Sequence, residues 1–287
     1  MKALELREAE RFCGQMARRD AKNFYWGFVS LPYEQRIAIY ALYDFARQVD
    51  DAVDSRSGDR TSTRVQTLAP HRERVRRCMR GEYSDPVMHV LAGAVARHGI
   101  LESELQALID GVEMDELRSR YETWDELREY CRLVASVVGR MCVRIFGFTN
   151  PEALERADEL GQAMQVTNIL RDVREDAAMG RIYLPLHDLK RFGVEERELL
   201  DGRPPAETWR ALVEFEVRRA RALFEGGFGV LAFIPRRSAV CVQTMAGIYH
   251  RILDKIERDP LLPFRERASL SGTEKLHIVV GSWLNVV

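Results

Sequence analysis

Gln165-Val166-Thr167-Asn168-Ile169-Leu170-Arg171-Asp172-Val173-Arg174-Glu175-Asp176 reads as one stretch of helix. Asn168, Asp172 and Asp176 recur every four residues, so three oxygen-bearing side chains share one stripe at steps of about 6 Å along the axis. Met164, Val166, Ile169 and Leu170 crowd that stripe with apolar groups. Like charges at this spacing destabilise an isolated helix by roughly 0.2–0.5 kcal/mol per pair. The stripe therefore calls for solvent, for cationic partners or for a metal ion.

A second stripe lies upstream in Ala46-Arg47-Gln48-Val49-Asp50-Asp51-Ala52-Val53-Asp54, where Asp50 and Asp54 stand one turn apart. Tyr40, Tyr43 and Phe45 precede it. A lone D-x-x-x-D is most often a solvated helix face. Two of them among aromatic and aliphatic residues point instead to a cavity. Oxygen donors without His or Cys suit a hard cation, and Mg²⁺ commonly completes its shell with substrate phosphates. Arg47 and Arg171 each accompany a stripe and offer forked donors to the same phosphates. Carboxylates, arginines and an apolar helical interior together describe a site for a diphosphate carrying a hydrocarbon.

Working outward, apolar residues recur at helical spacing nearly everywhere. Ile37, Tyr40, Ala41, Phe45 and Val49 form one face of a helix over 33–54 that starts after Pro32. Asp85-Pro86 and Asn150-Pro151 read as an N-cap followed by a first-turn proline. Thr123 and Glu126 have capping-box spacing ahead of a long helix that Gly147 stops near Phe146. Other helices are expected near 3–20, 62–80, 87–98, 101–118, 151–177, 206–232, 238–258 and 270–284. Arg181-Ile182-Tyr183-Leu184-Pro185 reads as an extended loop, Asp54 to Thr63 as a loop tip, and Asp201 to Pro205 as a connector. The expected fold is all-α, with residues 1–287 forming a single domain.

Composition narrows the function. In 287 residues, 43 Lys and Arg nearly cancel 44 Asp and Glu, which excludes the basic surplus of a dedicated nucleic-acid binder. Cys13, Cys78, Cys131, Cys142 and Cys241 are too few for a disulfide framework and contain no C-x-x-C pair, so a reducing cytoplasmic location is expected. The six histidines form no H-x-x-x-H pair, and zinc is not expected. No window supplies the roughly 18 apolar residues of a membrane span. The basic run Arg72, Arg74, Arg76, Arg77 and Arg80 reads as a solvated face that leaves room for a peripheral contact with an anionic membrane.

The chain resembles the squalene/phytoene synthases, trans-isoprenyl diphosphate synthases that join two prenyl diphosphates head to head. Asn23-Phe24-Tyr25, Leu31-Pro32, Ala41-Leu42-Tyr43, Tyr130-Cys131, Val134-Ala135-Ser136-Val137-Val138-Gly139, the 165–176 stretch, Gly180-Arg181-Ile182-Tyr183-Leu184-Pro185 and Tyr249 carry the resemblance over nearly the whole chain. It implies an isoprenoid-synthase helical bundle with a central apolar cavity. It implies that Asp50, Asp54, Asn168, Asp172 and Asp176 hold Mg²⁺, three ions with the bound diphosphates. Lys22, Arg47, Arg171, Tyr249 and an arginine at about Arg267 match diphosphate contacts. Tyr43, Tyr130, Gln165 and Tyr183 match the reaction centre, while Phe24, Phe28 and Val138 line the hydrocarbon pocket. Where some relatives have a histidine near Lys22, this chain has Asp20.

The same resemblance bears on chain length. Relatives forming C30 products often carry phenylalanine at the position of Phe28, and relatives forming C40 products usually carry a smaller residue. With Asn23-Phe24-Tyr25, this predicts two farnesyl diphosphates giving presqualene diphosphate and then squalene or a related C30 product. Phytoene formation from two geranylgeranyl diphosphates is the alternative, and a non-catalytic helical scaffold is the alternative of another class. Squalene requires a hydride donor such as NADPH. The sequence has no G-x-G-x-x-G after a strand, and Gly226-Gly227-Phe228-Gly229 reads as a loop or helix break. An NADPH groove beside the site stays open.

Overall fold

Ile37, Tyr40, Ala41, Phe45 and Val49 are all buried, as a single apolar helix face requires. The structure, a computed structural model, describes residues 2–54 and 68–285, with the side chains of residues 2–4, 22, 23 and 54 outside the description. Its helices in chain order are α1 (Lys2–Asp20), α2 (Lys22–Phe28), α3 (Tyr33–Asp54), α4 (Ala69–Met79), α5 (Pro86–His98), α6 (Glu102–Leu117), α7 (Trp124–Cys131) and α8 (Val137–Phe146). There follow α9 (Glu152–Ala178), α10 (Leu186–Phe192), α11 (Glu196–Leu200), α12 (Ala206–Gly227), α13 (Arg236–Arg258), α14 (Leu262–Arg265) and α15 (Gly272–Asn285). Among the described residues there is no strand, only an isolated parallel bridge between Arg120 and Ile182. The fold is all-α, as its periodicity requires.

Local chemistry sets the boundaries. The Asp85 carboxylate accepts the Met88 N–H at 3.0 Å and starts α5, and the Thr123 hydroxyl accepts the Glu126 N–H at 3.3 Å and starts α7. Asn150 Oδ1 accepts the Glu152 N–H at 2.9 Å, so α9 begins one residue later than the Asn-Pro pair suggests. The short helices α2, α10, α11 and α14 escape a periodicity reading, because a segment of four to seven residues completes at most two turns. The predicted loop after Asp54 and the start of the predicted 62–80 helix lie outside the described residues.

One expectation needs correcting. The helix predicted from Thr123 to Phe146 is interrupted by a π-helical turn, Arg132–Ser136, between α7 and α8. Such turns are rare and recur at functional sites. Here the turn presses against α9, where a Cβ on Gly161 would lie 2.9 Å from the Ala135 and Ser136 backbone. The glycine is what allows the approach.

Helix α9 is the axis of the molecule. It packs against α8 and the π turn on one side and against α12 and α13 on the other, while α1, α3 and α5 pack on one another as a separate layer. Gly227 sits where a Cβ would lie 2.6 Å from the Leu160 nitrogen. The 226–229 run is thus a helix contact that passes into the 3₁₀ turn Phe228–Ala232. Helix α13 is flanked by α2 and α15. Among the described residues no helix is long and apolar enough to cross a membrane, and all five cysteines are free thiols.

Candidate functional site

Helices α3 and α9 bring their stripes to one cavity. Its polar end, about 460 Å³, is lined by Asp50 and Arg47 from α3 and by Gln165, Asn168, Asp172 and Asp176 from α9. Tyr130, Val138 and Tyr183 complete that lining, together with Asp115, Glu116 and Arg181. Its apolar end, about 410 Å³, is lined by Phe24, Phe28, Tyr43, Met164, Val242, Met245 and Tyr249. Ala46, Arg47, Asp50, Val134, Val138, Gln165 and Asn168 border both ends, which makes the two spaces one chamber with a polar mouth. A pocket of this shape can hold a charged head and bury a hydrocarbon tail.

The polar end is crowded with charge. Asp172 is held by its neighbour Arg171 at 2.8 Å and by Arg267, at 2.9 and 3.1 Å, from the segment after α14. Burial raises the Asp172 carboxyl, but hydrogen bonds from Arg171 and Arg267 outweigh it and bring its pKa below the usual range. Asp176 has only the Arg181 charge as partial compensation. Burial first, then the nearby Asp172 and Asp115 carboxylates, push it up to about 7. Asn168 donates from Nδ2 to Gln165 at 3.2 Å, yet its buried Oδ1 has no hydrogen-bond partner. An orphaned amide oxygen one turn from the Asp172 carboxylate, with Asp176 a further turn along, is a donor set suited to a hard divalent cation. No group of three or more His, Cys, Asp or Glu side chains among the described residues is close enough to hold a metal unaided. A cation here would draw further oxygens from a bound phosphate.

Helix α3 contributes differently. Asp50 faces the chamber, whereas Asp51 points outward and pairs with Arg47 at 2.7 Å with both side chains about half exposed. The side chains of Asp54 and Lys22 lie outside the described residues. The predicted aromatic set divides between the two ends. Tyr43, whose hydroxyl donates to the Asp20 carbonyl at 3.0 Å, stands with Phe24, Phe28 and Tyr249 at the apolar end. Phe24 lies 6.1 Å from Tyr43, 5.9 Å from Tyr249 and 6.3 Å from Phe28, ring centre to ring centre. Tyr130 and Tyr183 stand 5.3 Å apart at the polar end. Burial raises the pKa of Tyr43 to about 12 and lifts Tyr249 in the same direction, so both phenols stay neutral.

Sequence reasoning missed Asp115, Glu116 and Arg181 as chamber residues. Asp115 and Glu116 lie in the last turn of α6, where no run of acids at four-residue spacing announces them. Arg181 was visible within the Gly-Arg-Ile-Tyr-Leu-Pro landmark, but its partners lie more than sixty positions upstream. The basic run on α4 also looks different once folded. Arg72 pairs with Asp110, Arg74 with Asp85, Arg76 with Glu73, and Arg77 and Arg80 with Glu82. Its charge is largely matched within the protein.

The chain is similar to known proteins over most of its length. The family model for squalene/phytoene synthase matches residues 17–274. A phytoene synthase of Mycobacterium tuberculosis is 35% identical over 283 residues, covering 97% of this chain and 91% of that protein. A 15-cis-phytoene synthase of Synechocystis is 36% identical over 289 residues, covering 96% and 85%. Among solved structures, a squalene synthase of Alicyclobacillus acidocaldarius superimposes with a TM-score of 0.82 at 32% identity, covering 89% of this chain and 95% of that one. A dehydrosqualene synthase in complex with a ligand superimposes with a TM-score of 0.86 at 27% identity, covering 99% and 98%.

Proposed function

This chain belongs to the squalene/phytoene synthase family, whose members are prenyltransferases, and we propose that it joins two geranylgeranyl diphosphates head to head into a C40 hydrocarbon of the phytoene type. The whole of residues 1–287 acts as one isoprenoid synthase domain in this reading. The observation that carries it is the single chamber in which two oxygen-rich helix faces meet a continuous apolar lining. A non-catalytic scaffold has no use for buried carboxylates set beside arginines at the mouth of a greasy cavity.

The expectation drawn from Phe28 favoured farnesyl chains. The relatives' names weigh toward the longer substrate, and the lining offers a physical reason. Phe28 packs against Phe24 and Tyr40, and the apolar end also draws on Val143, Phe146, Val230 and Val242, so one ring does not set its length alone. The C30 reading, through presqualene diphosphate to squalene or dehydrosqualene, is the second one. It is supported by the phenylalanine itself and by the two structural relatives.

Asp50, Asp54, Asn168, Asp172 and Asp176 are the residues to hold Mg²⁺, which when bound supplies Lewis-acid stabilisation to the departing diphosphate. Lys22, Arg47, Arg171 and Arg267 bind diphosphate oxygens, with Tyr249 beside them. Loss of diphosphate leaves an allylic cation, which the double bond of the second substrate attacks, and loss of a proton from the resulting tertiary cation closes the ring to a cyclopropylcarbinyl diphosphate. The apolar walls, Val138 among them, exclude the water that would trap the cation. The ring faces of Phe24, Tyr43 and Tyr130 stabilise it, and Gln165 bridges the two ends. Rearrangement after a second ionisation ends in proton loss for the C40 product, whereas squalene takes a hydride from a donor such as NADPH.

The product is a hydrocarbon, and a peripheral contact with the cytoplasmic face of an anionic bilayer belongs to the same proposal. The exposed apolar face of α15, Leu276, Val280, Trp283 and Leu284, supports it. The experiment that tests the reaction is incubation with labelled geranylgeranyl or farnesyl diphosphate, each with and without NADPH, followed by product analysis. A C40 hydrocarbon formed without NADPH is expected. A clear farnesyl preference returns the C30 reading, and no head-to-head product from either substrate ends both.

A further inference from the structure

Asp115 and Arg181 have no part in the reaction described above, yet both line the polar end of the chamber. Asp115 lies in the last turn of α6, with 22% of its side chain exposed. Both of its oxygens are engaged. Oδ1 accepts the Tyr183 hydroxyl, and Oδ2 lies 3.2 Å from Arg181 Nη1. The Tyr130 ring lies against that of Tyr183, centre to centre 5.3 Å. Arg181 is fixed in turn by Glu116 at 2.7 Å.

The backbone reinforces this arrangement. Gly180, with φ of 76°, turns the chain out of α9, and the strap that follows is tied to the segment after α6. The Ile182 N–H donates to the Ser119 carbonyl at 3.0 Å, the Leu186 N–H to Tyr121 at 2.9 Å, and Arg120 to the Gly180 carbonyl at 2.6 Å. The rings of Tyr121, Tyr130 and Tyr183 then stack with centres 5.3–6.0 Å apart.

A tyrosine hydroxyl both donates and accepts, and its proton turns toward the best acceptor within reach. With its proton directed at Asp115, the Tyr183 phenol presents the negative end of a fixed dipole to the rest of the cavity. A cation in that space then meets that dipole and the faces of the two rings, both held in place. We propose that Asp115 is a positioning residue that takes the hydroxyl proton of Tyr183 and so holds that ring, with Tyr130 stacked on it, toward the carbocation formed when the second diphosphate leaves. This rests on the head-to-head reading given above. Because both carboxylate oxygens are already bonded within the protein, the role differs from that of a further metal ligand.

The test uses the full chain as wild type, Asp115→Asn, Asp115→Glu and Tyr183→Phe, with the preferred prenyl diphosphate at varied Mg²⁺. Measured are kcat, KM and the split between cyclopropylcarbinyl diphosphate, alcohols formed by water capture, and the final hydrocarbon. For Asp115→Asn the expected result is a KM within about threefold of wild type and a half-saturating Mg²⁺ within about twofold. The ratio of hydrocarbon to intermediate plus alcohol is expected to fall by about tenfold or more. Asp115→Glu restores part of that ratio. Tyr183→Phe removes a single hydroxyl, reproduces part of the fall, and carries the test should the asparagine variant fail to fold. An unchanged product ratio in variants of an active enzyme overturns this proposal alone, as does a large rise in the Mg²⁺ requirement, which would mark Asp115 as a ligand. A wild-type enzyme that forms no head-to-head product overturns it together with the functional reading.

Discussion

Helices α3 and α9 both carry their acidic stripes toward their C-terminal ends, yet the surroundings of the two stripes differ. On α9, Asp172 is 17% exposed, Arg171 is 10% exposed, and a second arginine reaches Asp172 from 95 positions away. On α3, the neighbouring pair Arg47 and Asp51 is about half in solvent. Two sequence motifs that look alike on paper therefore meet different physics. The α9 stripe is a preorganised platform in low dielectric, where each charge interaction is strong. Beside Asp50, the Arg47–Asp51 pair works nearer water, where attraction is weaker and salt screens it.

If that contrast holds, Asp172→Asn has the largest effect. Turnover is expected to fall by about 10³-fold or more with the fold retained, since one change removes a buried charge and leaves Arg171 and Arg267 partly unpaired. Steady-state kinetics beside circular dichroism checks this, and near-normal turnover would take Asp172 out of the site. Asp50→Asn comes next, with a loss of about 10²-fold that raised Mg²⁺ recovers in part. Equal losses in both variants, with no recovery by Mg²⁺ in either, would erase the distinction between platform and rim.

Asp44 sharpens the comparison from the core side of α3. Burial first, then Asp20, pushes its carboxyl up to about 7, and Oδ2 is buried without a partner. The folded protein keeps this proton well above the pH of about 4 at which an unfolded chain releases it. The associated stability is fully present below about pH 4 and is lost as pH rises toward 7. Asp44→Asn stays neutral throughout, so the variant is expected to be more stable than wild type at pH 8, by on the order of 2 kcal/mol, and similar at pH 4. Thermal unfolding at the two pH values measures it. Parallel curves for variant and wild type would place the charge in water. The smallest effect is expected for Asp51→Asn, which breaks a half-exposed pair. Stability should change by less than about 0.5 kcal/mol and activity by less than about threefold, and a large activity loss would show that the outward aspartate serves the site after all.

Much of the fold was legible because helix formation is a local affair. The 3.6-residue recurrence of Ile37, Tyr40, Ala41, Phe45 and Val49, the Asp85 and Thr123 caps and the Gly147 stop are written within a few residues of the helices they define. The π turn at Arg132–Ser136 was not legible, since it depends on α9 pressing against it through Gly161. The chamber was half legible. Residues in stripes, Asn168, Asp172, Asp176 and Asp50, announce themselves by spacing. Asp115 and Glu116 do not, because their partners Tyr183 and Arg181 come from a distant strap. The arginines on α4 show the converse, a conspicuous run whose charge folding matches with carboxylates.

The sequence by itself determined that this protein is a stack of amphipathic helices bearing two oxygen-rich faces, because periodicity and capping act over one or two turns. Only the tertiary structure decided which carboxylates are buried, which arginines hold them, and that Tyr183 from the strap meets Asp115 from α6. Burial and long-range ion pairing depend on what packs opposite a residue, and no local pattern encodes that.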